Sequence, residues 1–272
     1  MKYSIYVLLC SIMLFSCKNQ ERNNENSQTI SPAASSTETE EDQLENKKDS
    51  ISVEPISHAT FMMKLNEKNI FVDPVGESEE LKKLGNVDVI LLTDIHGDHF
   101  NIDVLKEITE SNTKIIAPKA VAEKLTDSLL TQTAILNNGE SLDLFEISIK
   151  AIPMYNLREE AKEFHTKGRG NGYLLEANKK RIYISGDTED IPEMRNLKNI
   201  DVAFICMNLP YTMPVEAAAD AVLDFKLKKV YPYHYRGKNG MSDVDEFKNI
   251  VTTNNPNIQV QILDWYKNSE EK

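Results

Sequence analysis

Five histidines occur in the chain: His58, His96, His99, His165 and His234. Two of them fall in Asp94-Ile95-His96-Gly97-Asp98-His99, directly after the apolar run Val89-Ile90-Leu91-Leu92. Four imidazole or carboxylate donors in six residues suit a divalent transition metal such as Zn²⁺, Mn²⁺ or Fe²⁺. Gly97 is expected to let the backbone turn tightly enough for these side chains to converge. A solvated polar loop after a buried strand is the plain alternative. Three further polar residues follow apolar strands in the same manner. Asn156 follows Ile149–Tyr155, Asp187 follows Arg181–Gly186, and His234 follows Val230–Tyr233. Alone, Asp187 reads as a turn former and His234 as a core histidine. Together they suggest strand-end loops meeting at one site, where open α/β sheets place their ligands.

The elements that must position these loops begin at Ile51. Ile51–Val53 reads as a strand, and Phe61–Leu65 and Ile70–Val72 as a hairpin about Asn66–Asn69. Val87–Leu92 is a nearly continuous apolar run, as expected of a strand covered on both faces. Further strands are expected at Lys114–Ala117, Ala134–Leu136, Ser141–Ala151, Gly172–Glu176, Arg181–Ser185, Asp201–Cys206, Lys229–Tyr233 and Gln259–Leu263. Helices are expected at Ile102–Thr109, Ala120–Leu125, Val215–Phe225 and Val244–Thr252. Strands toward both ends with helices between them predict a layered α/β sandwich.

Three segments are expected: a leader over 1–17, a tether over 18–50 and a folded domain over 51–272. Lys2 precedes the apolar run Ile5–Phe15, which has signal-peptide length and is too short to span a bilayer. The run ends in Leu14-Phe15-Ser16-Cys17, which resembles a bacterial lipobox. Cys17 is then acylated, and the chain is an exported lipoprotein of the bacterial cell envelope, on the periplasmic or surface side of a membrane. An ordinary cleaved signal is the alternative. The following segment is acidic and rich in Asn, Ser, Thr and Gln, with Ile30 and Leu44 almost its only large aliphatic side chains. Such a segment buries too little to offset its ordering entropy. The formal net charge of −12 argues against nucleic acid as a partner. A mean hydropathy of −0.43 excludes a polytopic membrane protein. Three cysteines make no disulfide framework, and Cys206 reads as a buried small hydrophobe.

The order of motifs resembles the metallo-β-lactamase superfamily, in the branch of ascorbate-6-phosphate lactonase-like proteins and metal-dependent hydrolases. The resemblance rests on His58-Ala59-Thr60-Phe61, Ile70-Phe71-Val72-Asp73-Pro74 and Leu92–His99. It continues through Ile152–Asn156, Phe164–Tyr173, Ile182–Thr188, Tyr211-Thr212-Met213 and Pro232–Tyr235. It implies an αββα four-layer sandwich, two sheets face to face with helices outside. It implies that Asp94 and His96 hold a first metal, that Asp98 and His99 hold a second, that Asp187 bridges both, and that His234 completes the second. One or two divalent ions per chain follow, Zn²⁺ first among them, with Mn²⁺ and Fe²⁺ as alternatives. The implied reaction is cleavage of a small-molecule lactone, ester, amide or phosphodiester by metal-activated water, with Asp98 and His58 as the catalytic candidates.

The chain departs from the family pattern twice. Asp94 stands where the family has the first histidine of His-x-His-x-Asp-His, and Asn156 stands where a histidine often ends the third motif. His165 either supplies the missing ligand or touches substrate. His58 either hydrogen-bonds a ligand at the mouth of the site or supports its loop. Lys167 and Arg169 read as solvated loop charges, with reception of a substrate anion as the alternative. Trp265 and Tyr266 are expected to pack the last strand. The departures leave open a metal-binding or small-ligand-binding lipoprotein with a catalytically weak site.

Overall fold

Phe71, Ile90 and Ile115 face one way and Phe61, Met63, Val72, Val89 and Leu91 the other, which is the period-2 alternation of strands buried on both faces. The computed structural model describes residues 51–225 and 227–267. All of them fall within one compact unit. The expected leader, lipobox and tether lie outside the described residues, as do residues 268–272. Among the described residues no helix is long and apolar enough to cross a membrane.

The first sheet contains β1 (Ser52–Ser57), β2 (Thr60–Leu65), β3 (Lys68–Val72), β4 (Val89–Leu91), β5 (Lys114–Ala117) and β6 (Thr133–Ile135), in that spatial order. β1 to β3 pair antiparallel, and β3 to β6 pair parallel. The second sheet has β7 (Ser141–Leu144), β8 (Ile147–Met154), β9 (Gly170–Ala177), β10 (Lys180–Ile184), β11 (Val202–Cys206) and β12 (Lys229–Tyr233). A two-residue hairpin, β13 (Arg236–Gly237) with β14 (Gly240–Met241), stands apart, and β15 (Gln259–Val260) closes the sheet beside β12. The order is β15-β12-β11-β10-β9-β8-β7.

The two inner faces share one core. Phe61 stacks on Phe204 with ring centroids 4.4 Å apart, and Trp265 closes edge-on against Phe61 at 5.7 Å. Outside the first sheet lie α1 (Ser78–Lys82), α2 (Ile102–Ile108), α3 (Lys119–Ala122) and α4 (Asp127–Leu130), whose Leu81, Leu105, Val121 and Leu129 form a separate apolar layer with Phe71, Ile90 and Ile115. α5 (Pro192–Arg195), α6 (Val215–Phe225) and α7 (Val244–Asn254) accompany the second sheet. Ala218, Ala219, Ala221, Val222 and Phe225 of α6 are buried in the main core. The result is the expected αββα sandwich.

Several boundaries differ from the sequence reading. Ser141–Ala151 is not one strand but the hairpin β7–β8, which turns at Phe145 and Glu146 with φ of 53° and 59°. The β2–β3 turn is only Asn66-Glu67, again both left-handed, as a two-residue hairpin of this hand requires. The short helices α1 and α4 carry little apolar periodicity and were not expected. Gly97 does not occupy the left-handed region, and a Cβ there meets nothing within 4 Å. The convergence of its neighbours comes instead from a turn closed by the His99 and Phe100 N–H groups on the His96 carbonyl, at 3.0 and 2.9 Å.

Candidate metal centre

The loop Thr93–Phe100 is pinned at both ends. Before it, β4 is fully buried. After it, the Asn101 side chain accepts from the Asp103 and Val104 N–H groups and so caps α2. Asp73, at the end of β3, accepts the Thr93 N–H at 2.7 Å, the Thr93 hydroxyl at 2.6 Å and His99 Nδ1–H at 2.8 Å. This fixes the His99 tautomer and turns Nε2 into the site. Opposite, the chain leaves β10 through Ser185 and Gly186, whose φ of +60° and close approach to Asn171 O suit glycine alone and aim Asp187 at His99. His234 follows β12 and has a φ of 48°, a left-handed conformation that only the surrounding packing holds.

Two donor clusters flank Asp187, and His58, Asp98 and His234 form a third group at the rim. In the first, His99 Nε2 lies 3.3 Å from Asp187 Oδ2 and 3.2 Å from His234 Nε2, and His234 Nε2 lies 3.2 Å from Asp187 Oδ1. All three side chains are buried. Asp98 stands at its rim, 3.5 Å from His234 Nε2 and 3.4 Å from His58 Nε2. In the second, Asp94, His96 and His165 converge. His96 Nδ1 is 2.8 Å and His165 Nε2 3.9 Å from Asp94 Oδ2, and His165 Nε2 reaches Asp187 Oδ2 at 3.2 Å. The sequence-predicted donors other than Asn156 are thus brought together, beside a cavity of about 300 Å³ lined by His96, Asp98, His165, Asp187, Phe164, Tyr211 and Asn208. A larger cavity of about 680 Å³ near Leu209, Val215 and Met241 holds none of the clustered histidines.

Asn156 does not point into the site. Its amide donates to the carbonyls of Ala161 and Tyr211 at 2.8 and 2.6 Å. His165 Nδ1–H donates to the same Tyr211 carbonyl at 3.1 Å, so Asn156 braces the loop that presents His165 Nε2. Arg169 corrects the sequence reading more sharply. It is not a solvated loop charge: Nε and Nη2 donate to both oxygens of the buried Asp94 at 3.0 and 2.9 Å. Lys167 is exposed and pairs with Glu193. Tyr266 does more than pack a strand, because its hydroxyl lies 3.0 Å from His58 Nδ1. Sequence reasoning assigned no role to Asp73, Thr93 or Asn208, and gave Tyr266 only a packing role. The Val72-Asp73-Pro74 motif was the one signal available for Asp73.

The electrostatics match the geometry. Burial alone would raise the pKa of Asp187, but His234, His99 and His165 outweigh it and hold the carboxyl well below the usual range. Burial likewise opposes the ionised form of Asp98, and the His58 hydrogen bond and the charge of His99 overcome it. Burial disfavours the His99 imidazolium, yet Asp187 and Asp73 flank it and hold its pKa well above the ordinary value. At His234 burial prevails and the pKa falls. The group of acids therefore draws positive charge into itself. Among these clustered donors Asp187 Oδ1 is buried and accepts no hydrogen bond, although His234 Nε2 is near. A buried carboxylate with one bare oxygen, facing the Nε2 atoms of His99 and His234 with its two oxygens, fits a divalent cation.

A family profile described as "Beta-lactamase superfamily domain" matches residues 68–235. The chain belongs to that superfamily. Within it, a UPF0173 metal-dependent hydrolase of Thermococcus onnurineus is 29% identical over 214 residues, covering 74% of this chain and 92% of the relative. A UPF0173 metal-dependent hydrolase of a Geobacillus species is 32% identical over 187 residues, covering 65% and 82%. Among solved structures, a metal-dependent hydrolase of Parabacteroides distasonis is 36% identical with a TM-score of 0.70, covering 78% of this chain and 92% of that one. The metallo-β-lactamase fold, the enzyme class and the grouping with metal-dependent hydrolases expected from the motifs are thus established for this chain.

Proposed function

We propose that this metallo-β-lactamase-fold enzyme hydrolyses a small uncharged acyl compound, a lactone, ester or amide, with a divalent cation held by His99, Asp187 and His234. The observation that carries the reading is the buried Asp187 carboxylate, whose Oδ2 faces His99 Nε2 and whose Oδ1, beside His234 Nε2, accepts no hydrogen bond. A cation held by these residues would supply a Lewis acid, making water more acidic and polarising the oxygen under attack.

The chain's own residues supply the rest. Asp73 holds His99 in one tautomer. Asp98, at the rim of the cavity, is the group placed to take a proton from the attacking water and return it to the leaving group. His58 donates Nε2–H to Asp98 and is steadied by Tyr266 through Nδ1, so it orients the carboxylate. Phe164 and Tyr211 pack edge to face at 5.1 Å and offer an apolar surface to the acyl group. The choice of acyl over phosphodiester substrates rests on the lining. It contains no lysine or arginine, and Arg169 is already committed to Asp94. A screen of lactones, esters, amides and phosphodiesters tests this. Turnover of acyl compounds that a chelator abolishes is expected, whereas turnover confined to phosphodiesters contradicts it.

We place the enzyme outside the cytoplasm on a lipid anchor at Cys17, a reading supported by the lipobox-like Leu14-Phe15-Ser16-Cys17. Cys17→Ser is expected to move the protein from the membrane fraction to the soluble one. Retention of the variant in the membrane contradicts the anchor.

A further inference from the structure

The two donor clusters differ in one respect: the second already contains a cation. Arg169 is held against Asp94 by the backbone as well as by charge. The Asn171 N–H donates to the Thr93 carbonyl at 2.9 Å, which sets the start of β9, immediately after Arg169, beside the residue that precedes Asp94. Gly170 lies so close to that carbonyl that a Cβ would stand 2.7 Å from it. The guanidinium also donates to the Phe164 carbonyl, and its Nη2 lies 3.5 Å from His96 Nε2. Both Asp94 oxygens are engaged by Arg169, and Oδ2 receives His96 Nδ1 as well. A divalent ion in this cluster would sit within a few ångströms of a fixed positive charge in a buried setting, where repulsion is strong.

Resting on the hydrolase reading above, we propose that the enzyme binds one divalent cation tightly, in the His99–Asp187–His234 cluster, and that the Arg169 guanidinium on Asp94 takes the place of a second. Asp187 faces both charges. Its Oδ2 lies between His99 Nε2 and His165 Nε2, so a cation in one cluster and a guanidinium beside the other share it as their common counter-charge. Asp94 then serves to hold a guanidinium rather than a metal. That also explains why a carboxylate, which pairs bidentately with arginine, stands there instead of a histidine.

The test is Mn²⁺ titration of the metal-free full chain by calorimetry, with electron paramagnetic resonance of the loaded protein. One tight equivalent with the signal of an isolated Mn²⁺ is expected, any second site binding at least about 100-fold more weakly. Arg169→Gln is expected to bring a second equivalent within about 10-fold of the first, with a spin-coupled signal. Asp94→Asn is expected to keep the one tight equivalent, so the inference stays open to refutation if Arg169→Gln fails to fold. Two wild-type equivalents of similar affinity, or loss of the tight equivalent in Asp94→Asn, would overturn the proposal with the hydrolase reading intact. No binding at all would overturn both.

Discussion

The two halves of the centre are built from the same residue types and differ in what satisfies them. Around Asp187, two buried imidazoles turn Nε2 inward and a carboxylate oxygen is left bare. Around Asp94, a bidentate guanidinium already satisfies the acid. A count of His and Asp would rate the two clusters as equals. Their partners separate them, because a donor set is a metal site only where nothing else occupies its lone pairs. The scaffold enforces the difference. Asp73 fixes His99 from behind, while the Asn171–Thr93 hydrogen bond fixes Arg169 from in front.

The sharpest way to break the comparison is Asp187→Asn. It is expected to abolish metal binding and to lower hydrolysis by about 1,000-fold or more with the fold retained, checked by elemental analysis, assay and circular dichroism. Metal retained at the wild-type level in this variant would remove the distinction between the clusters. Asp73→Asn comes next. It frees His99 from its orienting carboxylate and is expected to weaken metal affinity by about 10- to 100-fold, measured by competition with a chromogenic chelator. Tyr266→Phe removes only the hydroxyl beside His58. A fall of about 10-fold or less in kcat with metal content unchanged is expected. Asn101→Ala acts on the loop's far anchor. It is expected to cost about 1 kcal/mol of stability in urea unfolding and to leave metal content alone.

Much of this was legible in the residues. The apolar runs before Asp94, Asp187 and His234 read as strands, and the loops after them meet as strand-end loops do. What escaped was pairing at a distance. Asp73 lies 26 positions from His99, and Tyr266 lies 208 positions from His58. Arg169 reads as a loop charge because nothing near it in sequence announces Asp94, 75 positions away. The β7–β8 hairpin was hidden for a local reason. Phe145 and Glu146 adopt left-handed φ without the Asn or Gly that usually marks such a turn. Asn156 shows the converse: the motif put it at the site, but only packing reveals that its amide serves the Tyr211 carbonyl rather than the cavity.

Anomalous diffraction from crystals of the full chain loaded with Zn²⁺ or Mn²⁺, collected at the metal edge, tests most directly which cluster holds the ion. A strong peak about 2.0–2.2 Å from His99 Nε2, His234 Nε2 and Asp187, with Arg169 still on Asp94, is the expected result. A peak held by Asp94, His96 and His165 with the His99–Asp187–His234 cluster empty would contradict it.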